Sequence, residues 1–224
     1  MNDNNISSSI IYPNVDIDET VIIGNHCIIY PNVKIKKNVK IGDFTIIGKK
    51  PEIGKNQMNL NDISNKTIVG ENTIIGSQVI IYQGSIIGSD NFIADKSFLR
   101  ENVYLNANVI IGTSCTISFN AKIGRGTKIM TGTNIAGNMV IGENCFIGAL
   151  VCCVNDNTPL QPKKRDDMIA AKIDDNVIIG SNSTILPDLY IAKNTVLGAG
   201  SVLTKSIKKS NCKYFGIPAK EKKE

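Results

Sequence analysis

Large aliphatic side chains recur along this chain at every sixth position. Between positions 69 and 147, fourteen consecutive positions at this spacing carry Val, Ile or Leu. Shorter runs with the same spacing span positions 11–47 and 173–203. An α-helix would give a period of 3.6 residues and a simple strand a period of two. The period of six therefore indicates a larger repeating unit, which must be identified before any single helix or strand.

The other positions of each six-residue unit are also patterned. Twelve of the 19 glycines directly follow the repeating aliphatic residue, and glycine suits a backbone that turns sharply or is closely approached. A small or β-branched residue comes four positions after the aliphatic one, as at Val79, Ser85 and Cys115. Each unit is thus typical of a short strand followed by a turn. Three units form a triangular coil of 18 residues, and coils stack about 4.8 Å apart.

This pattern predicts an all-β protein, a left-handed parallel β-helix of roughly nine coils over residues 11–207. Each coil buries its aliphatic residues only against its neighbours, as in other solenoids. The six-residue spacing breaks twice, between positions 47 and 69 and between positions 153 and 173. The breaks predict loops at about 49–67 and 154–172 that project from the helix. A rigid scaffold tends to carry its binding residues on such loops.

Composition and charge narrow the function classes. The sequence has a formal charge of +5, and much of the excess lies at Lys163, Lys164 and Arg165 and in the segment from Lys205 to Lys223. Residues 208–224 are expected to form a basic C-terminal tail. A nucleic-acid-binding face with interleaved aromatic residues is missing, so we expect no nucleic-acid partner. Residues 1–10 are expected to be flexible and do not resemble a signal peptide. No apolar run approaches the roughly 20 residues that span a membrane, so we expect no membrane insertion and a cytoplasmic location.

The six cysteines do not indicate disulfides or a metal site. Cys27, Cys115 and Cys145 occupy the small interior position of the repeat, which predicts buried, reduced packing residues. The only histidine, His26, lies far from any cysteine cluster, so we expect no bound metal. The related β-helices that act as carbonic anhydrases need three histidine ligands for zinc, and this count excludes that activity.

Several segments resemble the hexapeptide-repeat acyltransferases, above all the branch that N-acylates amino groups of nucleotide-linked amino sugars in surface-polysaccharide synthesis. Residues 141–148 (IGENCFIG), followed by Asn155, Asp156 and Asn157, are similar to the active-site segment of that branch. Two later segments, 179–187 (IGSNSTILP) and 197–205 (LGAGSVLTK), resemble the final coils of that branch. Residues 216–220 (GIPAK) resemble its terminal signature.

The resemblance implies a homotrimer with active sites between neighbouring helices and acetyl-CoA, or another acyl-CoA, as co-substrate. Backbone groups around Ser181, Ala199 and Gly200 would hold the pantetheine, and Lys205 and Lys220 would lie near the phosphates or the adenine. The alternative is that these glycine and alanine residues are only the turn residues that every coil requires.

The repeat also predicts spatial neighbours, because residues 18 apart stack. Asn155 would lie over Gly137, Phe119 and Glu101, and Asp156 over Asn138, Asn120 and Asn102. By the resemblance, Asn155 and Asp156 are the catalytic candidates that hold the sugar and orient its amine. The candidates for substrate binding come from the neighbouring coils: Phe119, Asn120, Asn134 and Asn138. A column of asparagines alternatively only satisfies turn backbones.

Many hexapeptide acyltransferases use a histidine as general base before this loop, where the present chain has Asn134 and Gly137. An amine with a pKa near about 8 is partly neutral at pH 7 and needs little deprotonation, so the missing histidine favours N-acylation. Asp156 would take a proton directly or through water. Two other functions remain open: O-acetylation of a sugar or small alcohol with Asp156 as base, and a catalytically silent β-helix scaffold.

Overall fold

The computed structural model describes residues 8–52, 63–161 and 164–222, apart from the side chain of Asp166. Most of the N-terminal segment expected to be flexible lies outside these residues. The described residues contain 30 short strands in three sheets and, besides one 3-10 turn at Arg165–Asp167, no helix of three or more residues. No described helix is long and apolar enough to span a membrane.

Strands of two to four residues are distributed over three sheets, here called A, B and C. Sheet A contains β1 Ile10–Ile11, β4 Ile28–Ile29, β7 Ile46–Lys49, β10 Ile80–Tyr82, β13 Phe98–Leu99, β16 Thr116–Ile117, β19 Asn134–Ile135, β22 Cys152–Cys153, β25 Thr184–Ile185 and β28 Val202–Leu203. Sheet B contains β2 Asp16–Ile17, β5 Val33–Ile35, β8 Thr67–Val69, β11 Ile86–Ile87, β14 Tyr104–Leu105, β17 Lys122–Ile123, β20 Val140–Ile141, β23 Lys172–Ile173 and β26 Tyr190–Ile191. Sheet C contains β3 Ile22–Ile23, β6 Lys40–Ile41, β9 Ile74–Ile75, β12 Phe92–Ile93, β15 Ile110–Ile111, β18 Lys128–Ile129, β21 Phe146–Ile147, β24 Ile178–Ile179, β27 Val196–Leu197, β29 Lys213–Phe215 and β30 Lys220–Glu221.

From β1 to β28 every third strand joins the same sheet, so the chain winds as a triangular coil. Within the uninterrupted region the parallel partners lie 18 residues apart, as between Ile80 and Phe98 or between Ile123 and Ile141. Strands β1–β27 form nine coils of three strands each, and β28 begins a further one. The predicted all-β parallel β-helix is therefore confirmed, and the architecture is consistent with left-handed coiling.

The core is a continuous column of aliphatic side chains along the helix axis. From β4 to β28, the residue at the six-residue spacing is buried in every strand, and the residue two positions before it is buried in every strand except β26. Cys27, Cys115 and Cys145 occupy three of these small positions and are buried free thiols, as the sequence predicted. Each coil is thus stabilised by the coils directly above and below it.

The turns explain two features of the composition. One residue in most turns has a left-handed backbone, and asparagine, which tolerates that conformation, fills many of these positions, including Asn102, Asn120 and Asn138. The glycine that follows the aliphatic residue serves a different purpose. A Cβ at Gly70 would collide with the backbone of Gly88 in the next coil. This confirms a close approach between stacked backbones.

Both loops leave the helix at the same corner, where sheet A passes into sheet B. The first connects β7 to β8 and the second connects β22 to β23. Pairing across the first loop is offset by 34 residues, as between Ile46 and Ile80, and across the second by 32, as between Cys152 and Thr184. Each loop is therefore an insertion into one turn, and the coil stack continues beneath it.

The segment predicted as a basic C-terminal tail contains two strands. Strand β29 pairs in parallel with β27, and β30 pairs with β29 in antiparallel orientation. Phe215 lies against Gly198, where a Cβ would collide with its ring. This hairpin covers the end of sheet C.

Candidate functional site

The corner that bears both loops, here called the loop corner, consists of the turns between sheets A and B. From the first loop to the second these turns comprise residues 83–85, 100–103, 118–121 and 136–139, and the second loop begins at Val154. Because strands β10, β13, β16, β19 and β22 stack in order, equivalent turn residues form columns. The catalytic and substrate-binding candidates, except Asn134 on β19, all belong to these columns or to the start of the second loop.

Asn155 and Asp156 lie at the base of the second loop and are partly buried. The side-chain amide of Asn155 donates to the carbonyl of Gly137, 3.0 Å away. This contact places Asn155 over Gly137, the neighbour that the 18-residue repeat predicts. One carboxylate oxygen of Asp156 accepts a hydrogen bond of 2.8 Å from the backbone N–H of Thr158. Both polar side chains are thus fixed by local contacts at the loop base.

Three asparagines form a hydrogen-bonded ladder along the loop corner. The amide nitrogen of Asn102 donates to Asn120 at 3.2 Å, and that of Asn120 donates to Asn138 at 2.9 Å. The ladder touches both loops, because the Ser64 N–H donates to the side-chain oxygen of Asn102 and the Asn138 side-chain amide donates to the backbone carbonyl of Arg165. The amide groups of Asn120 and Asn138 are therefore engaged within the protein when the second loop has this conformation.

A charged cluster lies beside this ladder. The Glu101 carboxylate accepts two hydrogen bonds from the Arg100 guanidinium, at 2.8 and 3.0 Å, and a short one from Arg165 of the second loop. The Glu101 side chain is only 3% exposed and that of Arg165 12% exposed. Charge-assisted bonds to a buried carboxylate are the strong class of hydrogen bond. This cluster attaches the second loop to the turn three coils below its own base.

Phe119 lies between these features. Its ring packs against Gly137, where a Cβ would come within 2.5 Å of the ring, and the Arg165 guanidinium lies 4.6 Å from the ring centroid on the loop side. The cation and the ring attract each other electrostatically. Asn134, on β19, donates at 3.2 Å to the Cys153 carbonyl. Phe119 thus lies beneath the second loop, and Asn134 lies on the adjacent face of sheet A.

The candidates for CoA binding are distributed over the last coils. Ser181, Ala199 and Gly200 are exposed at the corner where sheet C passes into sheet A. Gly200 has a φ of +68°, and a Cβ added there would meet nothing within 4 Å. At Gly180 an added Cβ would collide with the backbone of Ala199. This corner therefore combines close coil stacking with open space beside its last turn.

The two lysine candidates lie at different places. Lys220 is exposed on β30, paired with Phe215, and the adjacent Ala219 N–H donates to Val202 of the last coil. Lys205 is exposed at the far end of β28, on the loop-corner side. Lys220 is thus near the open corner, whereas strand β28 separates Lys205 from it.

His26 is exposed in a turn of the second coil, with its ring stacked on Phe44 at 5.0 Å between centroids. It belongs to the corner between sheets C and A, not to the loop corner. His26 therefore lies away from the second loop.

Arg100 and the contact between Glu101 and Arg165 were missed. Glu101 was identified only as a stacked neighbour of Asn155, and Arg165 only as part of a basic run. One sequence signal was available: Glu101 is an acidic residue in a turn column otherwise occupied by Phe119, Gly137 and Asn155. A lone charge in such a column needs a partner when a loop covers it.

Two family models match separate parts of the chain. Residues 120–153 and 170–205 match the model of the bacterial transferase hexapeptide, six repeats, and residues 11–111 match the model of the GMPPB C-terminal domain. A galactoside O-acetyltransferase of Lactococcus lactis is 34% identical over 88 residues, which are 38% of this chain and 42% of the relative. The chain thus matches less than half the length of this curated relative.

Two solved structures share the fold. The UDP-N-acetylglucosamine acyltransferase of Francisella novicida superposes with a TM-score of 0.66 at 19% identity, over 95% of this chain and 68% of that chain. The UDP-N-acetylglucosamine O-acyltransferase of Moraxella catarrhalis superposes with a TM-score of 0.59 at 20% identity, over 95% and 73% of the two chains. At this level of identity the likeness concerns the architecture.

Proposed function

Because this chain is a hexapeptide-repeat β-helix protein, we propose that it transfers an acyl group, most simply acetyl, from CoA to the amino group of a nucleotide-linked amino sugar. The observation that carries the proposal is the loop corner. It places Asn155 and Asp156 at the base of a projecting loop, in a chain whose only histidine is His26.

The acceptor is an amine because of this missing base. A hydroxyl nucleophile needs a general base, and proton transfer from a positioned side chain contributes about 10²- to 10⁴-fold to the rate. An amine with a pKa near about 8 has a neutral, nucleophilic fraction at pH 7. Asp156 assists by accepting the proton that the nitrogen loses, directly or through water, while Asn155 orients the sugar.

The reaction balances without a metal or redox partner. The amine nitrogen attacks the thioester carbonyl carbon, a C–N bond forms, and the C–S bond breaks with departure of the thiolate. The nitrogen loses one proton and the leaving sulfur gains one, which yields an amide and free CoA. A backbone N–H directed at the carbonyl oxygen stabilises the negative charge that develops there.

The last coils fit a CoA-type donor. The pantetheine is narrow, and the open space beside Gly200, between exposed Ser181 and Ala199, suits such a chain. Lys220 adds a positive charge near this corner for the phosphates. Lys205 lies at the loop-corner end of β28 and would act only if the donor extends along that strand.

The site is proposed to be completed in a homotrimer, with the donor corner of one subunit facing the loop corner of the next. The outer face of sheet C supports this association, because five large apolar side chains on it are 40–56% exposed: Ile22, Ile74, Phe92, Phe146 and Ile178. Lys40 and Lys128 interrupt this column, which leaves two apolar stretches, one of Ile74, Phe92 and Ile110 and one of Phe146, Ile178 and Val196. Monomers rarely expose large contiguous apolar patches.

A mass-spectrometric screen tests the proposal. Nucleotide-linked amino sugars are incubated in turn with several acyl-CoAs, and products heavier by one acyl group are recorded. We expect at least one amino-sugar nucleotide to gain an acyl group with loss of one amine. If no combination reacts and calorimetry detects no CoA binding, the chain is a silent β-helix scaffold and the proposal fails.

A second candidate is O-acetylation of a sugar or small alcohol with Asp156 as base. It is favoured by the 34% identity to a galactoside O-acetyltransferase. Inclusion of the corresponding hydroxyl sugars in the same screen distinguishes the two functions. Acetylation of the hydroxyl sugars alone would favour the second candidate.

A further inference from the structure

We infer that Glu101 is a positioning residue, whose buried carboxylate holds the second loop down through Arg165 and thereby sets the places of Asn155 and Asp156. The inference rests on the proposed function only for its effect on catalysis. The attachment of the loop can be tested without any substrate.

Glu101 is unusual in its surroundings. Among the residues that the structure describes, it is the only charged side chain in the buried class. A buried carboxylate is costly unless it is paired and hydrogen-bonded. Its partners are Arg100 of the same turn, through two parallel bonds, and Arg165 of the second loop. One carboxylate therefore connects the coil stack to a loop that begins more than 50 residues later in the chain.

The loop is held at two separated levels of the loop corner. At its base, the Asn155 amide donates to Gly137. Farther along, Arg165 reaches Glu101, two coils below Gly137 in the same column, and its guanidinium covers the Phe119 ring at 4.6 Å. The loop thus folds back across the corner and is attached both at its base and at Arg165, so we infer that release of Arg165 also loosens the base.

The backbone around Arg165 is also held by hydrogen bonds, both to Asn138 and within its own turn. The Asn138 amide donates to the carbonyls of Arg165 and Met168, at 2.8 and 3.0 Å. Within the 3-10 turn, Asp167 N–H donates to the Lys164 carbonyl and Met168 N–H donates to that of Arg165. These two N–H groups exchange with solvent when the turn opens, so their exchange rates report directly on the attachment of the second loop.

Backbone hydrogen exchange of the protein without substrate tests the attachment of the second loop through Glu101 and Arg165. Glu101→Gln keeps the side-chain shape but removes the charge, and a hydrogen bond to a charged group is worth about one to two powers of ten in an equilibrium. We expect exchange at Asp167 and Met168 to rise about 10- to 100-fold, while exchange at Phe146 in the coil stack is unchanged. Glu71→Gln, which removes an exposed ion pair to Lys37, is the matched control and should change neither.

Arg165→Ala gives the same test from the other partner. Arg165 lies outside the coil stack, so its removal leaves the core intact even where Glu101→Gln does not fold. We expect a similar rise in exchange, partial recovery in Arg165→Lys, and no further rise when Arg165→Ala is combined with Glu101→Gln, because contacting residues are not additive. Unchanged exchange at Asp167 and Met168 in folded Arg165→Ala would overturn the inference.

The catalytic consequence is measured in the same variants. A displaced loop base misorients the acceptor, so kcat/KM for the amino sugar should fall about 10- to 100-fold in Glu101→Gln and in Arg165→Ala. The loss should be smaller in Arg165→Lys, and the shape of the pH profile should be unchanged in all three variants. A parent protein without acyltransferase activity would defeat the proposed function and leave the exchange result standing. Faster loop exchange at unchanged kcat/KM would overturn the positioning role alone.

Discussion

Ile141 illustrates how single residues stabilise the coil stack. It is 2% exposed and pairs with Ile123 of the coil below. Replacement of Ile141 by Ala removes buried methyl and methylene groups and leaves a cavity, which should lower the free energy of unfolding by about 2–5 kcal/mol. Denaturant unfolding monitored by circular dichroism measures the change.

Val140→Ala is the matched control, because Val140 precedes Ile141 on the same strand and is 37% exposed. It should unfold near the midpoint of the parent protein. An Ile141→Ala midpoint equal to that of the parent would mean that this residue does not face the core.

The reactivity of individual thiols distinguishes buried from exposed cysteines. Cys152 is exposed on the outer face of sheet A, whereas the other five thiols are buried. Burial raises the pKa of the Cys145 thiol to about 11 and also raises the pKa of Cys115. Since the thiolate is the reactive form, these buried groups hold little thiolate at pH 8. We expect one rapid equivalent of thiol labelling at pH 8, lost in Cys152→Ser, and five slow ones; several rapid equivalents in the folded protein would contradict the burial.

At the scale of elements, the second loop is where we propose that the catalytic residues lie. Asp156→Asn keeps the hydrogen bond to Thr158 N–H within reach but removes the proton acceptor. We expect kcat/KM for an amino-sugar nucleotide to fall about 10- to 1,000-fold, because acid–base assistance is typically worth 10²–10⁴-fold and an amine needs less of it. Steady-state kinetics of the parent and the variant measure the change.

His26→Ala is the control for that measurement. His26 lies at another corner, in the second coil, so turnover should be essentially unchanged. A large loss of activity in folded His26→Ala, or full activity in Asp156→Asn, would contradict the assignment of the site.

The positions of the elements were predictable from the sequence, but the contacts between them were not. The six-residue spacing fixes which residues are buried and where each loop leaves the coil, since an insertion shifts the spacing. It also places Asn155 over Gly137. It does not fix where the loop ends after it projects. The position of the loop depends on the contact between Arg165 and Glu101, which are 64 residues apart in the sequence. The six-residue spacing does not predict this contact.

In the asparagine ladder, too, the positions of the residues were predictable from the sequence but their contacts were not. Asparagine in the left-handed turn position follows from local backbone preference, so Asn120 and Asn138 were expected to lie in one column. Their engagement with the second loop follows from the conformation of that loop. Direct substrate contact by either amide therefore remains a prediction.

For the whole molecule, association is the testable property. Light scattering should give three times the chain mass of 24.3 kDa over a broad concentration range. Phe92→Lys places a charge in the exposed apolar column of sheet C and should reduce the mass toward that of one chain. Tyr104→Lys, on sheet B with a similar exposure of 41%, should leave it unchanged. A monomeric parent protein would contradict the shared site.

A comparison of two acceptor groups tests most directly the central claim, which is that the acyl group is transferred to an amine. Initial rates are compared for a 3-amino sugar nucleotide and its 3-hydroxy analogue, with the same acyl-CoA, between about pH 6 and pH 9. We expect transfer to the amine only, with a rate that rises through the pKa of the substrate amine and shows no inflection near 6.5, the ordinary pKa of a histidine. Transfer to the hydroxyl analogue at a comparable rate would contradict the claim, because a hydroxyl acceptor requires a stronger general base than the Asp156 carboxylate.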